Sequence, residues 1–235
     1  MSSHATQFAS RDPEALTLVR ELQGLKGNVE DYRSHMKSLG QHLGRSVLTL
    51  FSAPPQGDIC VVCTVEDADF LAQGVIDALE CAGLGSQVRL ICLWNERVEI
   101  RDVSLSPIVK QYREDLSPNG SIFVIVKSII SGACVVKTNL MRALSFAVPE
   151  RIFVAAPVML SGAEDRLKDE FPATLADSFE FVHYVTDTIK NGDEVVPGIG
   201  GSVYENLGLG NSKEKNSYLP QIVDSRRKRL FAVCS

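Results

Sequence analysis

The chain has 235 residues, 45% of them hydrophobic and 7% aromatic, with a formal net charge of −5. No stretch approaches the roughly 20 apolar residues of a membrane span, the start MSSHATQFASRDPEA lacks the apolar run of a secretory signal, and the acidic balance argues against a general nucleic-acid binder. A cytoplasmic protein is expected, with one domain over residues 1–235 and an N-terminal helical arm over residues 1–45.

Residues 1–10 read as a flexible lead. A helix is expected from Asp12 and Pro13, the aspartate as N-cap and the proline in the first turn, with Leu16, Val19 and Leu22 at helical spacing. After a break at residues 24–28, a second helix carries Tyr32, Met36, Leu39 and Leu43 on one face. His35 and His42 read as ordinary residues of that helix's surface, with no third ligand for a metal. Strands and helices then alternate. Strands are expected over Asp58–Val65, Ser86–Trp94, Ser121–Val126, Arg151–Val158 and Phe179–Thr186, with helices near Ala68–Ala82, from Cys134 to Ala147 and around Gly162–Phe171. Residues 95–107 form a polar excursion, read as a possible β-arm. Continuous apolar strands separated by amphipathic helices specify an α/β fold, a mostly parallel sheet flanked by helices.

The six cysteines suggest packing rather than chemistry. Cys60 and Cys63 lie in the apolar run ICVVC, and residues three apart on a strand face opposite ways. No second cysteine pair or nearby histidine completes a metal set, so no metal site is expected. Arg226, Arg227, Lys228 and Arg229 read as a solvated helix end. ENLGLG at residues 205–210 is not a dinucleotide fingerprint, because it does not join a first strand to its helix.

Ligands of such sheets bind at the carboxyl ends of the strands. That singles out residues 64–69, 95–97, 127–134 and 157–162, together with the glycine-rich VVPGIGGSVYENLGLG of residues 195–210. Taken in order, five segments resemble the uracil phosphoribosyltransferase family over nearly the whole chain. They are LTLVRELQGLKGNVEDYRSHMKSLGQHLG, ICVVCTVEDADFLAQGVIDAL, FVIVKSIISGACVVKTNLMRAL, AAPVMLSGAEDRLKDEFP and FEFVHYVTDTIKNGDEVVPGIGG. VVPGIG is the most specific of these fragments. The resemblance implies a type I phosphoribosyltransferase-like fold. It also implies a homodimer built on the N-terminal helices, whose apolar residues Leu16, Val19, Tyr32 and Met36 need burial.

The departures bear on activity. Where the family carries a diphosphate-binding Arg-Ala-Gly, this chain has Glu66, Asp67 and Ala68, with Asp69 following. Where an Arg-Asp pair ends the next strand, Asn95 and Glu96 stand. The phosphoribosyl-diphosphate loop begins with Lys127 in place of aspartate and runs through Ser131, Gly132, Ala133 and Cys134. The uracil loop continues as Gly201-Ser202-Val203-Tyr204-Glu205. Phosphoribosyl transfer needs cations, hydroxyls and backbone N–H groups around a diphosphate, commonly with magnesium. Acidic residues in place of arginine reverse that sign. A like-charge contact near 4 Å costs on the order of 4 kcal/mol at an effective dielectric of 20.

The expected function is therefore a uracil phosphoribosyltransferase-like protein that has lost transfer and acts in ligand binding or assembly, with no catalytic residues and no cofactor. The alternative is an enzyme of the same family acting on a nucleobase-like or other non-standard substrate, with Glu66, Asp67 or Asp69 as acid or base. The ligand-binding set carried over is Lys127, Ser131, Gly132, Pro197, Gly198, Ile199, Gly200 and Tyr204, for a small nucleobase-like ligand. No membrane or nucleic-acid partner is expected.

Overall fold

The computed structural model describes residues 3–100, 103–192 and 194–233. The chain opens with strand β1 (Ser3–Ala5) and helices α1 (Gln7–Arg11), α2 (Pro13–Leu22) and α3 (Val29–Leu48). A flexible lead over the first ten residues is thereby corrected: β1 pairs with a strand near residue 186, and Phe8 and Ala9 are buried. The local signals of α2 act as expected, with Pro13 in its first turn and the Asp12 carboxylate accepting the Ala15 N–H at 3.2 Å. Asn28 caps α3 in the same way. His42 is a second correction. It is buried, with Nδ1 2.6 Å from Asp12 Oδ2, so it ties α3 to the start of α2.

Next come β2 (Ile59–Thr64), a π-helical turn (Ala68–Ala72), α4 (Gln73–Cys81), β3 (Val88–Asn95), the hairpin β4 (Val98–Ile100) and β5 (Val103–Leu105), and β6 (Ile108–Arg113). They are followed by β7 (Asn119–Val126), β8 (Ile129–Ile130), α5 (Cys134–Leu144), β9 (Val148–Ala155), β10 (Val158–Leu160), α6 (Ala163–Lys168) and α7 (Ala173–Ala176). The last elements are β11 (Phe179–Val182), β12 (Val185–Asp187), β13 (Ile189–Asn191), β14 (Glu194–Val196), α8 (Val203–Asn206), a 3₁₀ turn (Glu214–Ser217) and α9 (Gln221–Val233).

The central sheet has the order β11-β9-β7-β2-β3-β6. All its pairs are parallel except β3 with β6. The order reverses between β2 and β7, and at such a switch point the crevice outside the strand ends receives ligands. β6 was missed in the sequence because it is an edge strand with most of its residues exposed. Both faces of the sheet are covered. Val61, Cys63 and Leu90 pack with α2, α3 and α4, whereas Cys60, Val62 and Phe123 pack with α5 and α6.

Three strands do not end where the central sheet ends. β7, β9 and β11 break for two residues and resume as β8, β10 and β12, which with β1 form a smaller sheet of order β1-β12-β10-β8. The continuous strands expected through Val158 and Thr186 are thus each divided between two sheets. Pro157 marks one break, since it has no N–H to continue a ladder. Its carbonyl accepts the N–H groups of both Tyr184 and Val185, at 3.1 and 3.2 Å, which sets the second.

α3 lies against α4 with backbone touching backbone. A Cβ on Gly40 would sit 2.0 Å from the Leu71 carbonyl oxygen, and one on Gly74 would sit 2.1 Å from that of Lys37. Val19, Tyr32 and Met36 are fully buried and Leu16 partly so, all against the chain's own core. The burial argument for a dimer through these faces therefore does not apply. At the other terminus, Arg226 departs from a solvated helix end: it lies 2.8 Å from Glu114 and 3.5 Å from Glu80. Arg227, Lys228 and Arg229 are exposed.

Candidate functional site

The parallel pairing of β2 with β3 and β7 brings three strand ends side by side. Glu66 and Asp67 follow β2, Asn95 ends β3, and Lys127 follows β7. Parallel register places Glu66, Asp67 and Lys127 in contact although they are up to 61 positions apart. Lys127 Nζ lies 2.9 Å from Asp67 Oδ2, 3.1 Å from Glu66 Oε1 and 3.2 Å from Ser128 Oγ. Thr64 Oγ1 donates to Asp67 Oδ2 at 2.8 Å. A second cation arrives from the 3₁₀ turn: Lys215 Nζ is 3.2 Å from Glu66 Oε2 and 3.0 Å from the Asn95 carbonyl oxygen.

This cluster corrects the sign assigned to the site. Glu66 and Asp67 are buried, but the buried Lys215 and the partly buried Lys127 lie beside them, so two negative and two positive side chains balance. The expected like-charge cost is offset by ammonium groups within hydrogen-bond distance. Lys215 was invisible in the sequence, where it sits in the polar stretch GNSKEKNSY with no pattern to mark it as buried.

Local fields split the two carboxyls. Burial pushes Glu66 up, but Lys127 and Lys215 together overcome it and hold the group at about 2. Asp67 has Lys127 and the Thr64 hydroxyl against burial and the adjacent Glu66 charge, and its pKa is nonetheless raised. Burial alone would lower Lys127; the carboxylates of Asp67 and Glu66 prevail and raise it. Asp67 is therefore the more readily protonated carboxyl of the pair.

Asp69 does not join this cluster. Its carboxylate accepts the N–H groups of Gln221 and Ile222, at 2.7 and 2.8 Å, and the Tyr218 hydroxyl, so it caps the start of α9 from another part of the chain. Asn95 reaches the other way, its amide donating to the Ser106 carbonyl at 3.0 Å and to Asn139 Oδ1 at 2.9 Å. A cleft of about 330 Å³ lined by Val98, Leu105, Ser106, Pro107 and Thr138 opens beside it.

Of the other residues singled out, Ser131 and Gly132 form the half-buried turn before α5. No atom lies within 4 Å of a Cβ built on Gly132. Ala133 gives α5 no side-chain cap, and the positive end of the helix faces that turn. The glycine-rich loop faces the same region, and a Cβ on Gly198 would lie 3.1 Å from Ile129 Cδ1.

Most polar backbone groups of that loop are already engaged. The Gly198 N–H donates to Asp187 Oδ2 at 2.8 Å, and its carbonyl accepts from Gln23 Nε2 at 3.4 Å. The Ile199 carbonyl accepts the Tyr32 hydroxyl at 2.9 Å, and the Gly200 carbonyl accepts from Asn206 at 3.0 Å. The Pro197 carbonyl takes the Gly200 N–H at 3.4 Å. Ile199 itself is buried in the core. The Tyr204 ring lies 5.3 Å from Lys215 Nζ, and burial followed by the Glu66 charge pushes its hydroxyl up to about 12.

Magnesium, which phosphoribosyl transfer commonly uses, does not suit this donor set. The carboxylates that could hold it already hold ammonium groups. Among the described residues no three histidine, cysteine or acidic side chains are grouped as metal ligands. Among those residues, too, no helix is long and apolar enough to cross a membrane.

No protein-family model matches the sequence, and no curated protein sequence matches it. Solved structures do. The AQ2163 protein from Aquifex aeolicus is 18% identical, with a TM-score of 0.65 covering 83% of this chain and 94% of that one. This shows a common fold. Looser likeness extends to the Mycobacterium tuberculosis H37Rv orotate phosphoribosyltransferase in complex with 5-phospho-α-D-ribosyl 1-diphosphate, at 14% identity and a TM-score of 0.46 over 77% of this chain and 95% of that one. It extends also to the adenine phosphoribosyltransferase of Leishmania donovani, at 14% identity and a TM-score of 0.42 over 71% and 72% of the two chains.

Proposed function

We propose that this chain is a uracil phosphoribosyltransferase-like protein that does not transfer phosphoribosyl and serves in ligand binding or assembly. The observation that carries this reading is the position of Lys127. It stands where the resembled family has an acidic residue, and it is held between Asp67 and Glu66 at 2.9 and 3.1 Å. Those carboxylates in turn replace the arginine that meets diphosphate. A balanced, buried cluster offers a diphosphate no net positive field, and its lysines are committed to protein carboxylates. The open turn at Ser131 and Gly132 retains what one small anionic group needs, a hydroxyl, open space and the positive end of α5.

Incubation with uracil, phosphoribosyl diphosphate and magnesium is expected to yield no uridine monophosphate above a protein-free control. Turnover at ordinary enzyme rates, of order 1 per second or faster, defeats the proposal. A thermal-shift screen over nucleobases, nucleotides and phosphoribosyl diphosphate then identifies the ligand. Gly132→Trp, which the open space around Gly132 admits, is expected to abolish its binding.

A symmetric homodimer belongs to the same proposal, because the resembled family is dimeric and two-fold dimers are the commonest oligomers. Met141 and Val148, 54% and 66% exposed, are apolar surface left to bury. Light scattering at micromolar concentration is expected to give twice the chain mass, and a value near 25.7 kDa refutes this part.

A further inference from the structure

We propose that the N-terminal strand β1 is a latch on the glycine-rich loop, acting through the buried carboxylate of Asp187. One carboxylate joins two segments that are distant in sequence. Ser3 Oγ donates to Asp187 Oδ1 at 2.5 Å, and the Gly198 N–H donates to Asp187 Oδ2 at 2.8 Å. Asp187 is fully buried at the end of β12, so each of its oxygens depends on these protein donors in place of water.

β1 is suited to detach. It is three residues long, lies at the edge of the small sheet, and among the described residues pairs only with β12, Ser3 opposite Asp187 and His4 opposite Thr186. His4 and Ala5 are exposed. Short edge elements with little buried surface open at the lowest free-energy cost. Thr6 forms the pivot. Its hydroxyl donates to the His183 carbonyl, its N–H donates to the Tyr184 carbonyl at 2.9 Å, and it caps α1.

When β1 leaves, Asp187 Oδ1 loses Ser3 and gains access to water. The carboxylate then turns toward solvent and releases the Gly198 N–H. The loop stays attached, because Tyr32, Gln23 and Asn206 hold its carbonyls from the other side. What changes is the packing of Gly198, whose φ is +56° and which sits where even a Cβ would lie 3.1 Å from Ile129 Cδ1, at the point where this loop meets the Lys127–Cys134 turn. Strand β1 thus sets how tightly the two loops close. The latch concerns loop motion alone and does not rest on the identity of a ligand.

Amide hydrogen exchange on the 235-residue chain, read residue by residue by NMR, tests it. Ser3→Ala is expected to speed exchange at Gly198 on the order of tenfold, the scale set by losing one hydrogen bond to a charged group. His4→Pro, which removes an N–H from β1, is expected to do so at least as strongly. Ser3→Thr, which keeps the hydroxyl, is expected to leave the rate near that of the parent, and amides of β2 are expected to be unaffected throughout. Asp187→Asn serves as the direct release. Faster exchange at Gly198 in Asp187→Asn but in neither Ser3→Ala nor His4→Pro overturns the latch. So does a uniform acceleration that includes β2, because that reports global destabilisation.

Discussion

Replacing Gly40 by alanine lowers the melting temperature by about 10 °C, although the same change in an ordinary helix raises stability. Glycine in a helix interior costs about 1 kcal/mol relative to alanine, so propensity alone favours the substitution. Contact geometry reverses the sign. The new Cβ falls 2.0 Å from the Leu71 carbonyl oxygen and 2.9 Å from the Gly74 Cα. Both neighbours are backbone and cannot rotate aside, so α3 and α4 must separate. Overpacking costs about 1 to 3 kcal/mol where side chains can adjust, and a rigid contact belongs at or above the top of that range. At about 2–4 °C per kcal/mol for a domain of this size, a net loss near 3 kcal/mol gives the stated shift. Scanning calorimetry of Gly40→Ala beside Gly44→Ala provides an internal comparison: a Cβ on Gly44 is less crowded, 2.6 Å from the Ala78 Cβ and 2.9 Å from the Val75 carbonyl oxygen, so a smaller loss is expected there. An unchanged or higher melting temperature for Gly40→Ala refutes the close-contact argument.

Lys127→Met has a comparable effect for an electrostatic reason. The methionine keeps the length of the side chain and removes the charge that two buried carboxylates share. Breaking a buried pair from one side costs about 3 to 5 kcal/mol, because a charge is left without its counterion. Glu66 retains Lys215, so the burden falls on Asp67, whose pKa is already raised by burial and by Glu66. In the parent protein the depressed Glu66 contributes stability that is complete above the ordinary carboxylate range and lost as pH falls toward about 2. In the variant, Asp67 without its cation binds a proton in the folded state more readily than in the unfolded one. Its contribution to stability is therefore greatest at low pH and is lost as pH rises through its folded pKa. Denaturation at pH 7 and pH 5 is expected to show the deficit of Lys127→Met relative to the parent shrinking at pH 5. That comparison cancels groups common to both, such as the partly buried His183, whose lowered pKa costs each protein stability as pH falls. Adding Asp67→Asn to Lys127→Met, which removes the unpaired charge, is expected to restore much of the loss at pH 7. A single variant as stable as the parent at pH 7 shows that the cluster carries no such energy.

Local chemistry made much of the fold legible. Asp12 caps the helix that its sequence position announces, and Asn28, at the end of the break read before the second helix, caps that one, because a cap is satisfied by N–H groups three residues away. ICVVCT and RLICLW read as strands because both of their faces are apolar, and both are buried in the sheet. The carboxyl-end loops could be named in advance for the same reason, since alternation of strands and helices fixes which loops share an edge.

Tertiary structure decided what those loops contain. The residues 66, 67 and 127 were all visible, yet their charges summed differently once Lys215 entered from 149 positions beyond Glu66. Asp69, next to them in sequence, points instead to α9. The reach of β7, β9 and β11 into a second sheet was equally hidden, because a two-residue break in an apolar run leaves the period of the strand intact. A sequence specifies which side chains must be buried and which backbone groups a near neighbour can satisfy. Which distant group neutralises a buried charge depends on where separate strands end in space, and only the packed sheet brings those ends together.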